Sequence, residues 1–166
     1  MPNRRRTITL TRPHPLNDAL IAPLESAGWQ VRICPLVEII EPSAPMATQM
    51  ALQQLASNDI ILACSPTAVI WAAAYLHQQE LSFPQNCDYV AIGSGTARTL
   101  HTHGIEQVWY PLDKNDALST LALPVLRSVL GLQIACLQGE NPKIATARIL
   151  QKRGAHAHAI DCYRRQ

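Results

Sequence analysis

One unit recurs along this chain and constrains its fold more than any other feature. It runs from an apolar strand to a turn rich in Ser, Pro or Gly, then a helical stretch closed by glycine, then another strand. Residues 7–11 (T-I-T-L-T) alternate, lead through Pro13 and Pro15 into a helix that Gly28 can end, and are followed by a strand over 30–34. Residues 60–64 form an unbroken apolar run, as expected of a strand covered on both faces, and meet Ser65-Pro66, which fits an N-cap with proline at the first helical position. Val69, Ile70, Ala73 and Ala74 then fall on one predicted helical face. A strand over 89–92 breaks at Gly93-Ser94-Gly95 and enters a short helix through Ala97 and Leu100 that stops at Gly104. Last come a strand over 133–137, Gly139, a helix from about 142 to 152, Gly154 and a closing strand over 157–162.

Strands alternating with helices of this length predict parallel β-α-β units: an α/β fold of flavodoxin-like or Rossmann-like type, with a parallel sheet covered by helices on both faces. In such sheets ligands gather outside the carboxyl ends of the strands, where helix N-termini point N–H groups outward. The candidate binding positions are therefore Ser65, Pro66 and Thr67; Gly93, Ser94, Gly95 and Thr96; and Gly139 to Asn141. The stretch 35–42 (P-L-V-E-I-I-E-P) reads equally well as an interdomain strand or as the first strand of the main sheet.

Composition narrows the function classes. With 48 % hydrophobic and 16 % charged residues the chain is too apolar for disorder. Arg4, Arg5, Arg6, Arg164 and Arg165 supply five of its fourteen cations, leaving nine against twelve acids elsewhere, so no basic face for nucleic acid is expected. No apolar run approaches the ~20 residues that span a bilayer, and no signal-like stretch follows the N-terminal arginines, which reads as a cytoplasmic protein without a membrane partner. The five cysteines are odd in number and lack C-x-x-C spacing, and four (Cys34, Cys64, Cys136, Cys162) lie in or beside apolar runs, the pattern of reduced core thiols.

Several chemistries fail on spacing. Gly93-Ser94-Gly95-Thr96-Ala97-Arg98 supplies two glycines of a dinucleotide fingerprint but has arginine at the third. Asp59 and Asp88 stand at strand beginnings, the wrong end for a phospho-acceptor. His101 and His103 straddle two helix faces, and His156 and His158 share a strand face without a carboxylate or thiolate to complete a metal site. What remains is a set of hydroxyls and glycine amides at three strand ends, suited to anionic groups bound through N–H donors and helix dipoles.

The order of the pieces resembles a known family. Thr11-Arg12-Pro13, Pro35-Leu36-Val37-Glu38-Ile39, Cys64-Ser65-Pro66-Thr67-Ala68-Val69, Ala91-Ile92-Gly93-Ser94-Gly95-Thr96-Ala97, Gln138-Gly139-Glu140-Asn141 and Cys162-Tyr163-Arg164-Arg165 together resemble uroporphyrinogen-III synthase, over about residues 7–165. The resemblance implies two α/β lobes joined by a two-stranded linker around a cleft. It implies that hydroxymethylbilane, a linear tetrapyrrole with eight carboxylates, loses its terminal hydroxyl as water and closes with inversion of the last pyrrole, without cofactor or metal. Carried over to this chain, Tyr163 is the catalytic candidate that assists departure of the hydroxyl, and Thr96 faces the cleft. Arg12, Ser65, Pro66, Thr67, Gly93, Ser94, Gly95, Gly139 and Asn141 join it as substrate-binding candidates.

Members of the family ordinarily continue past the equivalent of Tyr163. The expected division is therefore residues 1–35 as part of a first lobe, 36–162 as a whole lobe with its outgoing linker strand, and 163–166 as the start of the return linker. A family member that binds an acidic tetrapyrrole without catalysis is the alternative reading, and exchange or edge-pairing of the orphaned first unit between two copies is the oligomer it suggests.

Overall fold

The computed structural model describes residues 6–13 and 16–166; Arg4, Arg5 and Pro15 lie outside the described residues. It divides into two compact units, one of residues up to Ile40 together with Arg165–Gln166, the other Glu41–Arg164.

In the first unit β1 (Thr7–Leu10) and β2 (Gln30–Ile33) pair in parallel, Thr7 opposite Gln30 and Leu10 opposite Ile33, with α1 (Asp18–Ser26) between them in sequence. Gly28 closes α1 at a φ of +84°, a left-handed conformation that a side chain would oppose. Glu38 and Gln166 exchange backbone N–H···O bonds, which brings the last residues into this unit. Elements this short bury little. Among the described residues of the unit only Leu10 and Asn17 are buried, while Leu20, Ile33 and Leu36 are exposed. Cys34 is exposed as well, against its reading as a core thiol, because none of the described residues of the unit covers the end of β2.

The second unit holds the core. Here β4 (Ile60–Ala63), β5 (Asp88–Ala91), β6 (Val108–Trp109), β7 (Gln133–Gly139) and β8 (His156–Arg165) run parallel in the order β8-β7-β4-β5-β6, whereas β3 (Ile39–Ile40) falls within the first unit. Every residue of β4 is at most 2 % exposed, the expected consequence of an unbroken apolar run in mid-sheet. Ile60, Leu62, Val90, Ile134 and Cys136 point to one face and pack against Leu121 of α5 (Ala117–Leu121), Leu126, and Ala147 and Leu150 of α6 (Thr146–Lys152). Each fully buried Leu or Ile of this layer contributes roughly 1.5–3 kcal/mol relative to exposure. α3 (Pro66–Gln78) and α4 (Ser94–Thr102) pack against β4, β5 and β7, and α2 (Pro45–Gln53) against α3.

The parallel sheet with helices on both faces is as expected. Counted from β4, the strands lie in the doubly wound order 3-2-1-4-5, whereas a flavodoxin would show 2-1-3-4-5, so the winding reverses between β4 and β7. Three local expectations change. The buried face of α3 is Ala68, Val69, Ala72, Tyr75 and Leu76, with Ala74 exposed. α6 begins at Thr146, because residues 142–145 form an irregular approach after Asn141, which holds a φ of +52°. β8 extends through Arg165 instead of ending at 162.

All five cysteines are free. Burial pushes the Cys64 thiol up to about 11 despite a hydrogen bond with Thr146, and raises Cys136 and Cys162 as well. A thiol held protonated is a poor nucleophile. An aromatic disulfide reagent at pH 8 should therefore label Cys34 at once and leave Cys64, Cys136 and Cys162 untouched until denaturant is added; rapid labelling of four or five thiols in the native protein would contradict this packing.

Candidate functional site

The reversal between β4 and β7 sets where a site can form, since the chain leaves these two neighbouring strands in opposite directions and ligands of such sheets gather beyond the carboxyl ends at that point. Ser65 follows β4 there and Gly139 ends β7 there. Tyr163 of β8 reaches the same place because of a bulge: Gln138 pairs with Asp161, but Gly139 pairs with Tyr163, so Cys162 is the extra residue. A bulge of this kind re-aims the side chains that follow it. The tyrosine ring lies over Gly139, where a Cβ would stand 2.6 Å from its Cζ, and the N–H of Glu140 donates to the Tyr163 carbonyl at 2.8 Å. Its hydroxyl is 3.3 Å from Ser65 Oγ.

Ser65 is the predicted N-cap of α3. Its extended backbone (φ −165°, ψ 156°) lets Oγ accept the Ala68 N–H at 3.0 Å, with Pro66 at the first helical position. Pro66 carries no N–H and that of Ala68 is taken, so Thr67 supplies the outward donor of this turn. The other two strand ends are also partly occupied by the chain itself. Asn115 accepts the Ser94 N–H at 3.3 Å and stands where any Cβ on Gly93 would be, 2.2 Å from its Oδ1. This leaves the amides of Gly95 and Thr96 at the head of α4. After β7 the Glu140 amide goes to Tyr163, which leaves that of Asn141.

The predicted residues thus divide. Ser65, Gly139 and Tyr163 meet directly. Thr96, expected to face a cleft, is 2 % exposed on the packed side of α4 with Ala97 and Leu100, so its hydroxyl is turned inward; the helix phase that places Ala97 in the core carries its neighbour with it. Arg12 is exposed in the first unit, where its carbonyl accepts from the Asn17 amide. Asn141 is exposed.

Two contacts escaped the sequence. Asn115 comes from the loop after β6, and nothing in its neighbourhood in the chain points to Gly93. Glu140 brings a carboxylate into the third loop, and its two oxygens take the backbone N–H and the hydroxyl of Ser43, the latter at 3.0 Å. Its charge is thereby directed at Ser43.

A cavity of about 820 Å³ opens at the opposite, amino-terminal ends of β4 and β5, lined by Asp59, Cys87, Asp88 and Glu106. Three carboxylates make it hostile to anions, in contrast to the amide-lined strand ends. His156 and His158 are both exposed on β8, and no group of three or more candidate metal ligands gathers among the described residues. No helix among them is long and apolar enough to cross a membrane.

Comparison with known proteins gives a consistent answer. The family model described as uroporphyrinogen-III synthase HemD matches residues 18–166. The uroporphyrinogen-III synthase of Escherichia coli K12 is 33 % identical over 161 residues, covering 96 % of this chain and 65 % of that protein; that of Salmonella typhimurium LT2 is 32 % identical with the same coverage. The chain thus spans about two thirds of the length of these relatives. A crystal structure of a mutant uroporphyrinogen III synthase from the extremely thermophilic bacterium Thermus thermophilus superposes with a TM-score of 0.63 at 20 % identity, over 97 % of this chain and 62 % of that one, which supports the fold.

Proposed function

Because this chain belongs to the uroporphyrinogen-III synthase family, we propose that its strand-end surface closes hydroxymethylbilane to uroporphyrinogen III, with Tyr163 assisting loss of the hydroxyl. The observation that carries this reading is the meeting of Ser65, Gly139 and Tyr163 beyond the carboxyl ends of β4 and β7, where the winding of the sheet reverses.

The substrate is a flexible polyanion, and the first task is to hold its two ends together. Outward amides at Thr67, Gly95 and Asn141 suit carboxylates without a wall of arginines, and a folded substrate reacts as a unimolecular system. The second task concerns the leaving group. As the terminal C–O bond breaks, its electron pair goes to oxygen, and the Tyr163 hydroxyl donates to that oxygen. Ring closure later releases one proton from the pyrrole carbon that is attacked, so hydroxide and proton leave together as water and charge balances. The tyrosine ring is held by burial at 3 % exposure, and only its hydroxyl has to meet the substrate.

The test is incubation of the 166-residue chain with freshly prepared hydroxymethylbilane, followed by separation of the ring isomers. Spontaneous closure gives the uninverted isomer. An excess of the inverted isomer is expected; the uninverted isomer alone would remove catalysis from this chain and leave the tetrapyrrole-binding alternative.

A further inference from the structure

We infer that Glu140 is a positioning residue: its carboxylate, fastened to Ser43, holds the turn after β7 so that the Asn141 amide faces a carboxylate of the substrate. This rests on the proposed function above. A glutamate in a loop that binds a polyanion is a puzzle, since a free carboxylate there would repel the groups that the amides attract. The geometry resolves it. Both oxygens of Glu140 are committed to Ser43, one to its N–H and the other to its hydroxyl at 3.0 Å. A carboxylate only accepts, so the direction of both bonds is fixed.

The turn depends on these bonds. Residues 141–145 are all exposed and irregular, and α6 begins only at Thr146, so burial does not hold Asn141 in place. Its φ of +52° is a conformation that side chains disfavour and that persists where the surroundings over-determine it. A cavity of about 320 Å³ lies between the turn and α2, with Ser43, Ala47, Glu140 and Asn141 in its lining. Bonds across this gap therefore stand in for packing.

The anchor itself is rigid. Ser43 lies between Pro42 and the Ala44-Pro45 entry to α2, and each proline fixes its own φ. The Ala44 carbonyl accepts the Thr48 N–H at 3.1 Å, and Thr48 Oγ1 donates to the Asp161 carbonyl of β8 at 2.9 Å. From the other side the Glu140 N–H donates to the Tyr163 carbonyl. Residue 140 is thus tied to β8 by its backbone and to α2 by its side chain, while α2 is tied to β8. Ala44 offers no side-chain cap, so a carboxylate at that end of the helix also interacts favourably with its dipole.

Charge and position are separable by substitution. Glu140→Gln removes the charge but can keep both contacts, Oε1 accepting the Ser43 N–H and Nε2 donating to Ser43 Oγ. Glu140→Ala removes charge and contacts together. Were the carboxylate only a charge beside the site, both variants would lower KM for hydroxymethylbilane. Instead KM should stay within about twofold of wild type for Glu140→Gln and rise roughly five- to twentyfold for Glu140→Ala. In both, kcat should stay within about threefold, because Tyr163 keeps its seat on Gly139. Ser43→Ala, which loses the hydroxyl contact and keeps the N–H, should raise KM about threefold, and Ser43→Thr should not. Ser43→Ala should add nothing in a Glu140→Ala background. A KM at or below wild type in a folded Glu140→Ala protein, a loss confined to kcat, or additive effects of the two alanine substitutions would overturn the proposal.

A readout without turnover is the amide NMR spectrum of the isotope-labelled protein. Bonding to a carboxylate should place the Ser43 amide proton downfield, and Glu140→Ala should return it upfield and displace the Asn141 amide while leaving those of Gly93 and Gly95 unchanged. A Ser43 amide indifferent to Glu140→Ala would overturn the proposal whatever the kinetics. A wild-type chain that forms no inverted isomer would refute the functional reading, and the substrate-facing role of the turn would fall with it even where the Ser43 amide reports the tie to Glu140 intact.

Discussion

Gly139→Ala should unseat Tyr163 and abolish most of the inverted-isomer activity while the rest of the second unit stays folded. The reason is steric. A methyl at residue 139 would lie 2.6 Å from the ring Cζ, with the neighbouring Cε atoms at 2.8 and 3.0 Å, closer than carbon atoms approach. The ring cannot easily retreat, since Tyr163 is buried and its carbonyl is tied to Glu140 N–H. Overpacking of this kind costs about 1–3 kcal/mol. Urea melts of the variant should show that loss with an unchanged slope, and the isomer assay should show product approaching the spontaneous mixture. The second-site control is Gly139→Ala with Tyr163→Val, which removes the clash. It should regain much of the stability and none of the activity. Gly139→Ala with wild-type stability and isomer ratio would mean that the ring can slide and that the glycine is not what seats it.

That a glycine stands at 139 was plain in the sequence; why it must was not. The turn logic of α/β proteins marks Gly139 as one strand-end residue among several, but the ring it accommodates arrives from β8, twenty-four residues later, through a bulge at Cys162 that no local pattern announces. The same division runs through the molecule. The strands of β4, β5 and β7, the Ser65 cap and the closing glycines Gly28 and Gly104 follow from short-range rules and stand close to where those rules put them. Features decided by partners distant in the chain did not: the inward turn of Thr96, the reach of Asn115 over Gly93, and the pairing of Glu140 with Ser43. Cys34 shows the limit most simply. Its apolar neighbours read as core, but burial requires a covering layer, and the described residues of the first unit offer only short strands and one helix, which leave Cys34 exposed.

Tyr163→Phe should lower kcat by about 10²–10⁴-fold with little change in KM or in folding. The substitution removes one oxygen and keeps the ring, so the packing on Gly139 survives and the loss in stability should be about 1 kcal/mol, the worth of the contact with Ser65. Ser65 stays capped on the Ala68 N–H, so no buried donor is stranded at the head of α3. Substrate binding rests on amides that the change does not touch, hence the constant KM. The barrier is affected because hydroxide is a poor leaving group from carbon and the phenol is the donor placed to meet it. Product identity gives the sharper check. As the enzymatic route slows, spontaneous closure overtakes it, so the isomer mixture should shift towards the uninverted ring even at saturating enzyme. A variant that keeps the wild-type isomer ratio and rate would take Tyr163 out of the chemistry. One that raises KM at constant kcat would make it a binding residue, and the carboxyl ends of β4 and β7 would then be a grip on the substrate with the leaving group served from elsewhere.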